Sequence, residues 1–191
     1  LIAVLASDTS GTEPYLIEGT TATRIMDINP GAGSSGSNAF SPGLGGYFFS
    51  ANDGTTGREP WFTRGTEATT HRVADLFTGL TASYAGSFTE VGDHVVFGAT
   101  SSADSKRQLW VTDGTDAGTT LVKDINPGAA GSSPSNFVVM GTKAYFTAND
   151  DTNGYELWVS DGTSAGTSMV KDINPSGDAF PYNWKLFVVG T

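Results

Sequence analysis

The sequence predicts an all-β protein made of four copies of one short four-stranded unit. Three observations lead there. Glycine supplies 25 of 191 residues and aromatics 11%, a composition that suits many short strands joined by tight turns. No stretch carries apolar residues at a sustained helical spacing. Finally, "QLWVTDGTDAGTTLVKDINP", starting at Gln108, is nearly repeated as "ELWVSDGTSAGTSMVKDINP", starting at Glu156.

The repeat extends through the whole chain. Tyr15, Trp61, Trp110 and Trp158 hold the same place in it and stand 46 to 49 residues apart. Each is followed by a Gly-Thr pair: Gly19-Thr20, Gly65-Thr66, Gly114-Thr115 and Gly162-Thr163. Each copy then reaches an aspartate followed by an apolar residue, at Asp27, Asp75, Asp124 and Asp172. In the last copy "SNFVVMG", "KAYFTAN", "YELWVSD" and "TSMVKDI" read as strands one to four. The words between them are rich in Gly, Asn, Asp and Pro, which accept positive φ or preset a turn. Both faces of these strands carry apolar residues, as a sheet packed between two neighbours requires.

Four-stranded units of this length, repeated, are the sequence sign of a β-propeller, in which each small sheet buries its faces against the next. The first blade begins at "LIAVLAS", a second-strand pattern, while the chain finishes on "LFVVGT", a first-strand pattern. The expectation is one four-bladed domain over 1–191. Blade one combines 1–30 with 182–191, blade two is 37–77, blade three 83–127 and blade four 134–175. In this reading the C-terminal first strand pairs with the N-terminal second strand and closes the ring, removing open edges. A closed monomer is expected; the alternative is a strand-exchanged, eight-bladed dimer.

Charge and composition narrow the function. The net charge is −10 and the isoelectric point about 4.4, which argues against nucleic acid, whose phosphates need a basic face. No apolar run is long enough to cross a membrane, so no membrane insertion is expected. With no cysteine, disulfides, thiolate catalysis and Cys-based zinc sites are excluded. The opening residues lack the basic start and length of a signal peptide, and the chain reads as a piece of something longer.

Few residues stand out as chemical candidates. The repeated aromatics read as wedges between blades. The aspartates of "DGT", Asp113 and Asp161, read as acceptors for their own turns. The aspartates at 27, 75, 124 and 172 read as braces of an outer turn, with cation binding as the alternative. Glu13, Glu59 and Glu156 give way to Gln108 in the third copy, which suits a hydrogen-bonding strut better than an acid or base. His71 and His94 read as ungrouped surface residues. Two acidic loops, Asn52–Gly57 and Asn149–Gly154, make Asp53, Asp150 and Asp151 the candidate metal residues, for Ca²⁺, although the alternating pattern of a calcium loop is missing. Trp184, beside Tyr182 and outside the repeat pattern, forms with it the candidate ligand site near a channel mouth. Glu90 is a repeat-breaking acid of the kind a paired-carboxylate enzyme would need.

The words "ELWVSDGT" and "QLWVTDGT" resemble the ELWxxDGT repeat of bacterial exported and surface proteins, strongly in the last two copies and more loosely in the others. The resemblance implies secretion or a cell-surface location, often within large repeat-bearing proteins, and no known reaction; the blade layout also looks like that of kelch propellers. The expected function is therefore a non-catalytic extracellular binding or adhesion module taking a glycan or a partner protein. The alternatives are a structural tile of a surface or filament assembly and, third, a polysaccharide-active enzyme.

Overall fold

A computed structural model of the chain describes residues 2–9, 11–36, 40–180 and 185–190. It is all-β apart from one short 3₁₀ turn at Glu67–Thr69. The first sheet holds β1 (Ile2–Asp8), β2 (Gly11–Glu18) and β3 (Thr21–Arg24). The second holds β4 (Ser41–Gly43), β5 (Gly46–Asn52), β6 (Arg58–Thr63) and β7 (His71–Arg72). The third holds β8 (Gly86–Val91), β9 (His94–Thr100), β10 (Arg107–Thr112) and β11 (Thr120–Lys123). The fourth holds β12 (Ser135–Met140), β13 (Lys143–Asn149), β14 (Tyr155–Ser160) and β15 (Ser168–Lys171). In each sheet the strands are antiparallel and lie side by side in chain order.

Sequence equivalence becomes spatial equivalence. Trp61, Trp110 and Trp158 pair with Phe49, Phe97 and Phe146, and Tyr15 pairs with Val4. The register slips by a bulge just before Trp110 and again just before Trp158. The turn words also repeat their chemistry. Asp113 Oδ1 accepts from the backbone N–H of Thr115 at 2.9 Å, and Asp161 Oδ1 from that of Thr163 at 2.9 Å. Gly118 and Gly166 complete the motif, because a Cβ on either would sit 2.1 Å from the aspartate oxygen.

Consecutive sheets pack face to face. Call the face toward the next sheet in the chain the front, and the other the back. Phe48, Phe62 and Val73 on the front of the second sheet meet Phe97 and Ala99 on the back of the third. Val96, Leu109, Val122 and Ile125 on the front of the third meet Phe146, Ala148 and Trp158 on the back of the fourth. Ile28 of the first copy packs with Phe49, Ala51 and Trp61. The aromatics pack edge-tilted or stacked, as Phe48 does on Phe62 and Phe88 at centroid distances of 4.9 and 5.6 Å. This is a propeller-like arrangement of four sheets.

The described residues differ from the expectation in one respect. Residues 185–190 form no strand, and β1 has β2 as its described partner, not the C-terminus. Instead Leu186–Val189 line, together with Val138, Met140, Tyr145 and Leu157, an apolar cavity of about 340 Å³ on the front of the fourth sheet. Apolar burial is non-directional. The segment lines this apolar face without covering it, since Phe187 and Val189 stay largely exposed, and it does not take the strand register that closure requires. The first sheet accordingly has three strands, against four in each of the others.

Candidate functional site

The repeated acid turns out to be the organising polar group. Glu13, Glu59 and Glu156 are fully buried, as is Gln108 apart from 1%. Glu13 accepts the backbone N–H of Ile28 and of Ser35, both at 3.0 Å. Glu59 accepts those of Leu76 at 2.9 Å and Ser83 at 3.2 Å, and Glu156 those of Ile173 and Asn174. Each holds the segment that leaves its own sheet. In the first three copies that segment, held in the third by Gln108 Oε1 at the Ser132 N–H, then bonds the next sheet: the carbonyls of Ser35, Ser83 and Ser132 accept the N–H of Asn52, Thr100 and Asn149 at 2.9, 2.7 and 2.9 Å. The strut read from the sequence is therefore a joint between neighbouring sheets.

The repeated aspartates differ from the expected turn braces. Asp27 and Asp75 point one oxygen at an arginine three residues earlier, Arg24 at 3.5 Å and Arg72 at 4.0 Å. Asp124 instead accepts a hydrogen bond from the Gln108 side-chain amide. Asp124 thus belongs to the strut, while Asp27 and Asp75 face an arginine of the strand before them.

The candidate metal residues do not converge. Asp53 Oδ1 accepts the N–H of Thr55 and Thr56, both at 2.8 Å, and their hydroxyls; its other oxygen lies 3.5 Å from Arg72. Asp150 is held in the same way by Thr152 and Asn153. Asp151 has φ +67°, and its N–H donates to Asn149 Oδ1 at 2.6 Å. Among the described residues no three acids or histidines come together as a metal would need. Burial acts to raise the pKa of Asp53, but the hydrogen bonds from Thr55 and Thr56 outweigh it and hold the carboxyl below the usual range. Its stabilising contribution is thus present above the ordinary Asp value, about 3.9, and fades as pH falls through the lower folded value. Asp53→Ala is expected to cost about 1–2 kcal/mol in denaturant unfolding, equally with Ca²⁺ and with chelator. A wild-type midpoint raised by Ca²⁺, and not raised in the variant, would make the loop an ion site.

Trp61 and Trp158 are buried between sheets, and Trp110 packs against the second-to-third interface. Tyr182 and Trp184 lie outside the described residues. Glu90 accepts the N–H of Leu44 at 3.0 Å and so ties the third sheet to the β4–β5 turn. The histidines were underread. His71 Nε2 reaches the Gly114 carbonyl at 3.0 Å, and His94 Nε2 the Asp161 carbonyl at 2.9 Å. Each bridges to the "DGT" turn of the next sheet. The repeat contained no signal for this, because neither histidine recurs in the other copies.

One feature of the surface breaks the repeat. Val122 and Ile125 on the front of the third sheet are each 5% exposed, while their equivalents on the fourth, Val170 and Ile173, are 48% and 52% exposed. At the opposite end of the row, Val4, Ala6 and Tyr15 on the back of the first sheet are half-buried. Their equivalents Phe146, Ala148 and Trp158 on the fourth sheet are buried. The exposed front of the fourth sheet and the half-buried back of the first thus carry the equivalents of the two halves of an interface made three times within the chain. No protein-family model matches the chain, and no curated protein matches it.

Proposed function

We propose that the chain is a non-catalytic extracellular binding module, and that its partner is a protein docked on the uncovered front face of the fourth sheet. The carrying observation is the exposure of Val170 and Ile173 at registers that are buried in the preceding sheets. Isolated exposed apolar residues are common, but a contiguous face that repeats a buried interface marks an interaction surface. Phe187, Val188 and Val189 add exposed apolar surface beside it. Resemblance to the ELWxxDGT repeat supports the extracellular setting. The partner proposed is a second copy, because the back of its first sheet carries the equivalents of the residues that cover this face elsewhere. Such head-to-tail contact closes into a ring of two chains or extends as a filament, which joins the binding reading to the structural one. A glycan has less support, since Trp61 and Trp158 are spent on packing between sheets.

A second reading is favoured by the apolar make-up of Leu186–Val189. On this reading the segment leaves the position described above, pairs with β1 and closes the ring within one chain, so that the exposed registers are covered from inside.

Light scattering across a concentration series tests the proposal. The wild type is expected to associate. The double variant Val170→Glu/Ile173→Glu is expected to stay monomeric, with its unfolding midpoint changed by no more than about 0.5 kcal/mol, as at other exposed sites. A wild type that is monomeric at every concentration would overturn the trans-docked reading.

A further inference from the structure

The third copy differs from the others at the strut, and the difference reads as a proton. Gln108 Nε2 donates to Asp124 Oδ1 and, at 3.0 Å, to the Asn126 carbonyl. In the other copies the strut is glutamate, and the equivalent aspartate oxygens, Asp27 Oδ1, Asp75 Oδ1 and Asp172 Oδ1, are buried without a hydrogen-bond partner. A buried polar atom without a partner is costly and calls for an explanation. An ionised glutamate cannot supply one, since it only accepts; a protonated one donates as the Gln108 amide does.

We infer that Glu59 and Asp75 share one proton in the folded protein, and that this shared proton tightens the joint between the second and third sheets.

The surroundings agree. Glu59 Oε2 accepts the backbone N–H of Leu76 and Oε1 that of Ser83. By equivalence with the Gln108 amide, which donates to Asp124, a proton on Glu59 is directed at Asp75. The other oxygen of Asp75 faces Arg72, whose guanidinium also lies 3.5 Å from Asp53. From the third sheet Arg107 approaches the same segment and donates to the Tyr84 carbonyl, beside Ser83. One arginine divided between two carboxylates leaves the inward side of Asp75 uncompensated, and like charges brought together disfavour double ionisation. Burial raises the Glu59 carboxyl, hydrogen bonds from Ser83, Leu76 and Phe77 offset part of the rise and the Asp75 charge adds to it, which together place it at about 7.

The sign follows from a folded value raised above the ordinary one. The proton's contribution is complete below about pH 4.5, the ordinary glutamate range, and is lost as pH rises through about 7. The test is the thermal midpoint of wild type and Glu59→Gln at steps from about pH 5 to about pH 8. The wild-type midpoint is expected to fall across this window more steeply than that of Glu59→Gln, which carries the Gln108 arrangement at every pH. Parallel curves would overturn the inference. Should Glu59→Gln fail to fold, Asp75→Asn serves instead, with the same two outcomes. Infrared difference spectra of the wild type give an independent reading. A protonated-carboxyl stretch that disappears between about pH 6 and about pH 8 is expected, and its absence at the lower pH contradicts the shared proton.

Discussion

Glu13→Ala is expected to lose about 3–5 kcal/mol of unfolding free energy, among the largest losses of any single polar substitution in this chain. Truncation leaves the buried N–H of Ile28 without its acceptor and takes from the Ser35 N–H one of its two, the Thr12 carbonyl remaining. It also frees the segment whose Ser35 carbonyl bonds Asn52 in the second sheet. The loss therefore combines one buried unsatisfied donor and one weakened hydrogen bond with a slackened joint between sheets. Urea unfolding of wild type and variant measures it. Glu13→Gln is the informative control: the third copy already uses Gln108 at this register, so a substantial part of the loss should be recovered.

A second large effect is a contrast between two identical substitutions. Ile125→Ala is expected to cost about 2–5 kcal/mol, because it opens a cavity between the third and fourth sheets where Ile125 packs in the cluster around Phe146 and Trp158. Ile173→Ala, at the same register one sheet later and 52% exposed, is expected to cost no more than about 0.5 kcal/mol in dilute protein. Equal losses would mean that the front of the fourth sheet is covered in solution. A loss at Ile173 that grows with protein concentration would place the cover on a second molecule.

Much of this fold is legible in the sequence, for a definite reason. A repeat imposes the same strand, turn and packing wedge each time, so Trp61, Trp110 and Trp158 announce one structural position, and Gly118 and Gly166 one steric need. The strut was legible in outline, since an acid that tolerates Gln108 does not behave as a catalyst. Its full role was not, because the partners Ser35, Ser83 and Ser132 come from segments whose paths the pattern leaves open. The two histidines were opaque for the opposite reason: each makes a contact that no other copy repeats. The expected ring closure rested on the likeness of "LFVVGT" to a first strand. Strand likeness shows that a segment can pair, not which apolar surface it meets first. For the candidate calcium residues, composition suggested oxygen ligands, but Asp53 and Asp150 direct theirs into their own turns.

The central claim is that the faces left uncovered on the fourth and first sheets meet between molecules. Amide hydrogen exchange of β1 (Ile2–Asp8), followed in dilute and in concentrated protein, tests it most directly. The amides of β1 that do not bond β2 should exchange quickly when the protein is dilute and slow down as it is concentrated, together with those around Val170 and Ile173. Slow exchange at these positions in dilute monomer would contradict the claim and show that one chain covers both faces by itself.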